Sequence, residues 1–135
     1  MKGYEFAAAV GHRQDESVVR KDFFAAKPVG NIRYGQYYMF QKGVTKWLYI
    51  DYNDIVWAYR RLEDVQSRLG RKTAGLELHS LMIVTKEKKR IGISVESEEN
   101  AVEGLHRIQQ HNVFVDIGFA KEKEGKYLGP GTDRR

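Results

Sequence analysis

The sequence contains no cysteine. A chain without cysteine forms no disulfide, offers no thiolate nucleophile and builds no cysteine-based zinc or iron–sulfur site. Because disulfides are rare in reducing compartments, the absence of cysteine leads us to expect a cytoplasmic protein. At 135 residues the chain has the usual length of one domain, and it can bury a core without disulfides or metal ions.

The sequence also lacks a long apolar run. No stretch approaches the roughly 20 apolar residues that a membrane-spanning helix requires. The first ten residues do not have the form of a signal peptide, because their apolar run is short and contains Glu5. We therefore expect neither a membrane span nor export by such a signal. With 41% hydrophobic and 30% charged residues, the composition is that of a folded globular domain.

Basic and acidic residues are mixed along most of the chain rather than grouped by sign. The formal net charge is +5, but the 23 basic residues are interleaved with 18 acidic ones. Basic residues are in local excess at two places. The first is a candidate ligand-binding set, Arg60, Arg61, Arg68, Arg71 and Lys72, and the second consists of Lys86, Lys88, Lys89 and Arg90. A solvated turn or strand end is the expected role of each cluster, and binding of a polyanion is the alternative.

Residue patterns that support catalysis or cofactor binding are missing. The four histidines do not have metal-ligand spacing, since His106 and His111 are five residues apart and point in different directions on a helix. There is no glycine-rich phosphate loop, and no serine stands out as a nucleophile. Asp51 and Asp54 flank a turn, where such residues usually bond to nearby backbone. We predict no catalytic residues, no metal site, no cofactor and no enzymatic activity.

Aromatic and β-branched residues are abundant between residues 32 and 61, and they predict antiparallel strands. The pattern predicts three strands, over residues 33–40, 47–52 and 55–61. Strict alternation in the last of these puts Ile55, Trp57 and Tyr59 on one face. Packing across strands is the expected use of the aromatic side chains, ahead of contact with another protein and of stacking on nucleic-acid bases.

A hairpin and an amphipathic helix follow. Residues 76–85 and 90–95 are predicted strands, joined by a charged turn at 86–89. Ser97 is a good helix cap, and apolar residues three or four positions apart predict a helix that packs on the sheet: Ala101, Val102, Leu105 and Ile108. The connection over residues 63–76 is compatible with either a protruding hairpin or a mobile loop.

The two ends of the chain lie outside this pattern. Asp15 or Ser17 can cap an N-terminal helix that extends to Ala26, with a stop at 27–30. A short extended segment is predicted at 113–118. The predicted organisation is therefore an N-terminal helical leader over residues 1–30, one domain over 31–120 and a flexible C-terminal tail over 121–135.

The order of several antiparallel strands followed by one helix resembles a pleckstrin-homology-like (PH-like) barrel. The hairpin of Leu81–Thr85 and Arg90–Ser94, which leads into the helix at Glu98, carries this resemblance. More narrowly, the string from Trp47 to Tyr59 is similar to the signature of small bacterial PH-like proteins of uncharacterised function. The resemblance covers residues 32–118. It implies a mainly β fold of the α+β class, with an antiparallel β-barrel or sheet capped by a C-terminal amphipathic helix.

PH-like domains are mostly binding modules, so the resemblance implies a non-catalytic binding or protein-interaction module. Some members hold phosphoinositide head groups with basic residues around the first hairpin loop, where this chain has only Lys42 and Lys46. We expect a protein partner or self-association, through an exposed strand edge or the connection at 63–76. The alternative is a polyanion, a lipid head group or a peripheral anionic membrane surface bound by the basic 60–72 region. Nucleic acid is disfavoured as a partner.

Overall fold

Strands and helices alternate along the chain, and the computed structural model describes them over residues 4–11, 14–64 and 77–129. The strands are β1 (Phe6–Ala8), β2 (Lys27–Val29), β3 (Ile32–Tyr34), β4 (Tyr38–Lys42), β5 (Trp47–Asp51), β6 (Ile55–Asp64), β7 (Glu77–Thr85), β8 (Arg90–Val95) and β9 (Asp116–Ile117). The helices are α1 (Glu16–Ala25), α2 (Glu98–His111) and α3 (Glu122–Leu128), and a 3₁₀ turn spans Tyr52–Asp54.

The strands form two sheets. One has the order β1-β5-β4-β3-β2, and the other has the order β8-β7-β6-β9. Closure into a barrel would require the edge strands of the sheets to pair with one another. Over the described residues they do not, so the expected barrel is wrong. The mixed α+β class and the C-terminal helix are confirmed.

Most strands lie where the sequence predicts them. The strands predicted at 47–52 and 55–61 are confirmed as β5 and β6, and the last hairpin is confirmed as β7 and β8. The short extended segment contains β9, which pairs in parallel with β6. β6 and β7 remain paired as far as Asp64 and Glu77. Residues 65–76 lie outside the described part of the chain, so the two alternatives for that connection stay open.

The strand predicted over residues 33–40 is wrong, because two strands occupy this stretch. β3 ends at Tyr34 and β4 begins at Tyr38. The backbone N–H of Gly35 donates to the carbonyl of Tyr38 at 2.8 Å and closes a tight turn between them. The buried carboxylate of Asp22, on α1, accepts hydrogen bonds from the turn. The break is therefore stabilised by a residue more than ten positions away, which the local alternation does not reveal.

The largest apolar cluster joins both sheets to α2. It includes residues of β3 to β8 and the buried face of the helix, with Ala101 and Ile108 at 1% and 0% exposure. Ser97 caps α2 as predicted, accepting the N–H of Asn100 at 3.1 Å. Val102 is 49% exposed, so its assignment to the buried stripe is wrong. Gly104 lies on the buried face instead, where a Cβ would meet the hydroxyl of Tyr34.

A second cluster lies on the opposite face of the first sheet, under α1. The predicted N-terminal helix is confirmed, and Asp15 caps it by accepting the N–H of Ser17 at 2.9 Å. Val19 and Phe23 of α1 pack on aromatic side chains of β1, β4 and β5. Lys27–Val29, predicted only as a helix stop, is β2 and pairs with β3.

A third apolar cluster lies under α3. It contradicts the prediction that Ile55 lies on the same face of β6 as Trp57 and Tyr59. The pairing of β6 with β7 shifts register between Ile55 and Trp57, and such a bulge reverses the alternation of side chains. Ile55 therefore joins the main core, while Trp57 and Tyr59 pack with Leu128 of α3. The sequence places residues 121–135 in a flexible tail, whereas Glu122–Leu128 form this helix.

Two buried tyrosines give a matched test of the core. Both are at most 3% exposed, and burial raises the pKa of each hydroxyl above its ordinary value. The hydroxyl of Tyr52 donates to the Gly35 carbonyl at 2.9 Å. Among the described residues, the hydroxyl of Tyr34 has no hydrogen-bond partner.

We expect Tyr52→Phe to lower the free energy of unfolding by about 1–2 kcal/mol, because it leaves a buried carbonyl without its donor. Tyr34→Phe is expected to raise it by about 1 kcal/mol, because it removes an unsatisfied polar group. Urea denaturation of the two variants measures both changes. Equal destabilisation by the two substitutions would contradict the assignment of Tyr34 as unpaired.

Candidate interaction edge

Of the predicted ligand-binding residues, Arg60 and Arg61 lie in β6 and point to opposite faces of the sheet. Arg60 is paired in register with Leu81 of the main core and lies on the α2 side. Arg61 follows Tyr59 in the alternation and lies on the α3 side. The two arginines therefore lie on different faces of the sheet, although both line the two grooves beside the edge of β6. The other three predicted residues, Arg68, Arg71 and Lys72, lie outside the described residues.

Arginines on both faces are paired with carboxylates. Arg60 donates to Glu98, in the first turn of α2, at 2.7 Å, and both side chains are largely exposed. An exposed pair of this kind contributes at most about 1 kcal/mol. On the α3 side, Arg90 donates to Glu124 at 3.3 Å. Both signs of charge therefore flank β6.

Over residues 4–11, 14–64 and 77–129, one side of β6 lacks a neighbouring strand along much of its length. β7 pairs with β6 as far as Asp64, but β9 pairs only with Trp57 and Ala58. The N–H of Gly118 donates to the carbonyl of Ala58 at 2.9 Å, and the chain then turns away at Gly118 with φ of +101°. Within the described residues, β6 is an open edge from Tyr59 onward.

The backbone groups that face this edge follow from the alternation of hydrogen bonding along a strand. The carbonyl of Ala58 is directed towards β9. Every second residue directs its N–H and C=O to the same side, so those of Arg60 and Leu62 are directed towards the open edge. A row of unpaired backbone groups is a template on which another chain can form a strand.

The end of β9 is fixed by contacts with α3 and Trp57. Lys123 donates to Asp116 at 2.8 Å, and this hydrogen bond holds the pKa of the Asp116 carboxyl below its usual value. Lys123 also donates to the carbonyl of Gly118 at 3.0 Å, and the indole N–H of Trp57 donates to the same carbonyl at 2.8 Å. The point at which β9 leaves β6 is therefore determined by the packing of α3.

Two grooves flank the open edge. The groove on the α2 side encloses about 460 Å³, and its lining includes Leu62, His79 and Leu105. The groove on the α3 side encloses about 500 Å³, and its lining includes Tyr59 and Arg61. Phe119, just beyond β9, lines both grooves. Leu62 and Phe119 are 59% and 55% exposed, so apolar surface lies beside the unpaired backbone.

A separate groove of about 560 Å³ lies beside the 3₁₀ turn, and its lining includes His111 and Tyr52. The His111 ring stacks on Tyr52 with centroids 4.3 Å apart, and its Nδ1 is 2.8 Å from the carbonyl of Arg107.

In the part of the chain that the structure describes, no three His, Asp or Glu side chains are arranged to hold a metal ion. No helix there is long and apolar enough to cross a membrane.

Residue patterns did not identify Leu62 and Phe119 as surface residues of this edge. The available signal for Leu62 was an apolar residue isolated within the charged string at 60–64. Phe119 gave no such signal, because its position depends on where β9 ends.

The chain matches one family model over residues 11–127, from before α1 to the last turn of α3. The match therefore includes every strand except β1, together with the open edge of β6 and the flanking grooves. No curated protein and no solved structure matches the chain. The chain belongs to the family described as "Domain of unknown function (DUF6709)".

Proposed function

We propose that this protein is a non-catalytic, cytoplasmic interaction module of the bacterial PH-like kind, which binds an extended segment of a protein partner at the edge of β6. The observation that supports the proposal is that β6 beyond Ala58 has no strand on its β9 side among the described residues, while the side chains of Leu62 and Phe119 are exposed there. Antiparallel strands followed by α2 are the feature that supports the PH-like relationship.

Strand addition explains what each part of the edge does. The partner segment lies beside β6 in line with β9 and exchanges hydrogen bonds with the backbone of Arg60 and Leu62. Its alternate side chains point into the two grooves, since successive residues of a strand face opposite sides. The main-chain bonds supply affinity that is independent of sequence, and the grooves select the side chains.

The charges around the grooves favour a partner segment with polar as well as apolar side chains. The Arg60–Glu98 pair lines the groove on the α2 side, and the Arg90–Glu124 pair lines the groove on the α3 side. The rim of each groove can therefore match a partner charge of either sign. Such rim charges affect association rate and specificity more than affinity.

The alternative function, binding of a polyanion or lipid head group by the basic 60–72 region, has less support. A multivalent anion is bound most strongly by cations on one face. Arg60 and Arg61 lie on opposite faces, and Arg60 already contacts Glu98.

The proposal predicts that Leu62→Pro weakens peptide binding at the edge. Proline lacks the N–H that Leu62 directs outwards, and it is tolerated on edge strands. A displayed library of short random peptides, selected on the wild-type chain, supplies the probes. We expect the selected peptides to bind the variant at least about tenfold more weakly, equivalent to about 1.4 kcal/mol.

Leu62→Val is the matched control, because it keeps the N–H and should retain most of the affinity. Circular dichroism of both variants checks that the sheets remain folded. Selected peptides that bind Leu62→Pro as tightly as the wild type would contradict the proposal. A selection that enriches no peptide on a chain that stays monomeric would also contradict it.

A further inference from the structure

The open edge is self-complementary in charge. Residues 60–64 read Arg-Arg-Leu-Glu-Asp, with two cations before Leu62 and two anions after it. Antiparallel pairing of two copies about Leu62 places residue 61 of each copy opposite residue 63 of the other. Arg61 then faces Glu63 of the partner subunit, and two-fold symmetry makes this pairing occur twice. Directly opposite charges of unlike sign stabilise a pair of strands, whereas like charges destabilise it.

Backbone geometry is compatible with the same centre. Leu62 directs its N–H and C=O towards the open edge, as argued from the Gly118–Ala58 hydrogen bond. An antiparallel pair centred on such a residue exchanges both backbone hydrogen bonds between the two copies. A centre at residue 61 or 63 would also allow hydrogen bonding, between residues 60 and 62 or between residues 62 and 64, but it would place two arginines or two glutamates opposite each other. The backbone therefore permits the register centred on Leu62, and the charge pattern favours it.

The apolar surface is consistent with this register. Residues directly opposite each other in an antiparallel pair point to the same face, so Leu62 contacts Leu62 of the partner subunit. The side chain of Leu62 is 59% exposed in the single chain, and this contact covers part of it.

We propose that two copies of this chain form a two-fold symmetric dimer by antiparallel pairing of their β6 edges about Leu62. The two four-stranded sheets then become one continuous sheet. This inference rests on the proposed function, because it uses the same edge and identifies the partner segment as residues 60–64 of a second copy.

Charge reversal at the central pair tests the register. Arg61→Glu makes both members of the pair acidic in a homodimer, and Glu63→Arg makes both basic. We expect each variant alone to raise the dimer dissociation constant at least about tenfold, because like charges then face each other. An equal mixture of the two variants should restore the wild-type constant, because each glutamate again faces an arginine. Sedimentation equilibrium over a range of concentrations measures all three constants.

Lys86→Glu supplies the control for non-specific attraction between oppositely charged chains. Lys86 is exposed on the β7–β8 turn, and its reversal changes the net charge as much as Arg61→Glu does. Mixing Lys86→Glu with Glu63→Arg should leave the Glu63→Arg chain largely monomeric. Leu62→Pro should also be monomeric.

The outcomes separate this inference from the proposed function. A wild-type chain that stays monomeric at every concentration, yet binds library peptides at the edge, overturns the dimer alone. A dimer that survives Leu62→Pro, or whose charge variants do not complement each other, overturns the stated edge or register. A monomer for which the library yields no peptide overturns both proposals.

Discussion

Asp22→Ala is expected to lower the free energy of unfolding by about 3–5 kcal/mol, one of the two largest effects that we predict for a single substitution. The carboxylate is 6% exposed and accepts three backbone N–H groups, those of Gln36, Tyr37 and Tyr38, at 2.8–3.1 Å. Alanine would leave these donors without an acceptor at the turn between β3 and β4. Urea denaturation monitored by circular dichroism measures the loss.

Asp22→Asn distinguishes loss of the acceptor from loss of the charge. An amide keeps one acceptor oxygen, so we expect a smaller loss of about 1–3 kcal/mol. Lys21→Ala, at the exposed preceding position, should change stability by less than about 0.5 kcal/mol. A cost below about 1 kcal/mol for Asp22→Ala would mean that the turn does not depend on this carboxylate.

Phe23→Ala is expected to destabilise the fold by about 3–5 kcal/mol, the usual cost of truncating a fully buried phenylalanine. Its side chain is 0% exposed and lies at the centre of the cluster under α1. The ring centroids of Phe6, Phe40 and Trp47 lie 5.0, 5.2 and 4.9 Å away, and the Arg33 guanidinium lies 4.2 Å above the ring. Chemical denaturation gives the change in stability.

Phe24→Ala is the matched control for Phe23→Ala, because it removes the same side chain at the next position. Phe24 is 58% exposed, so its truncation should cost less than about 1 kcal/mol. The fluorescence of Trp47, whose ring contacts Phe23, should also change more in Phe23→Ala than in Phe24→Ala. Similar costs for both substitutions would contradict the packing of α1 on the first sheet.

Part of the candidate site could be predicted from residues alone. The charged string at 60–64 and its position on a strand follow from composition and alternation. That Arg60 and Arg61 face opposite sides of the sheet follows from the same alternation, once the string is assigned to a strand. Which strand edge is open could not be predicted, because it depends on where β9 stops. That point is determined by hydrogen bonds from Lys123 and Trp57 to the carbonyl of Gly118.

The sequence by itself determined the elements whose signals are local. Asp15 or Ser17 marks the start of α1, Ser97 marks the start of α2, and the charged turn at 86–89 joins β7 to β8. Caps, turns and short alternation act over a few residues, so they can be recognised without knowledge of the fold.

Only the tertiary structure decided the features that depend on distant partners. Asp22 on α1 interrupts the strand predicted over 33–40, and the bulge between Ile55 and Trp57 moves the aromatic side chains to the α3 side. The helical Glu122–Leu128, assigned to a tail by sequence, packs on that face through Leu128. In each case the deciding free energy comes from packing or hydrogen bonding between residues far apart in the chain, and it overrides the local pattern.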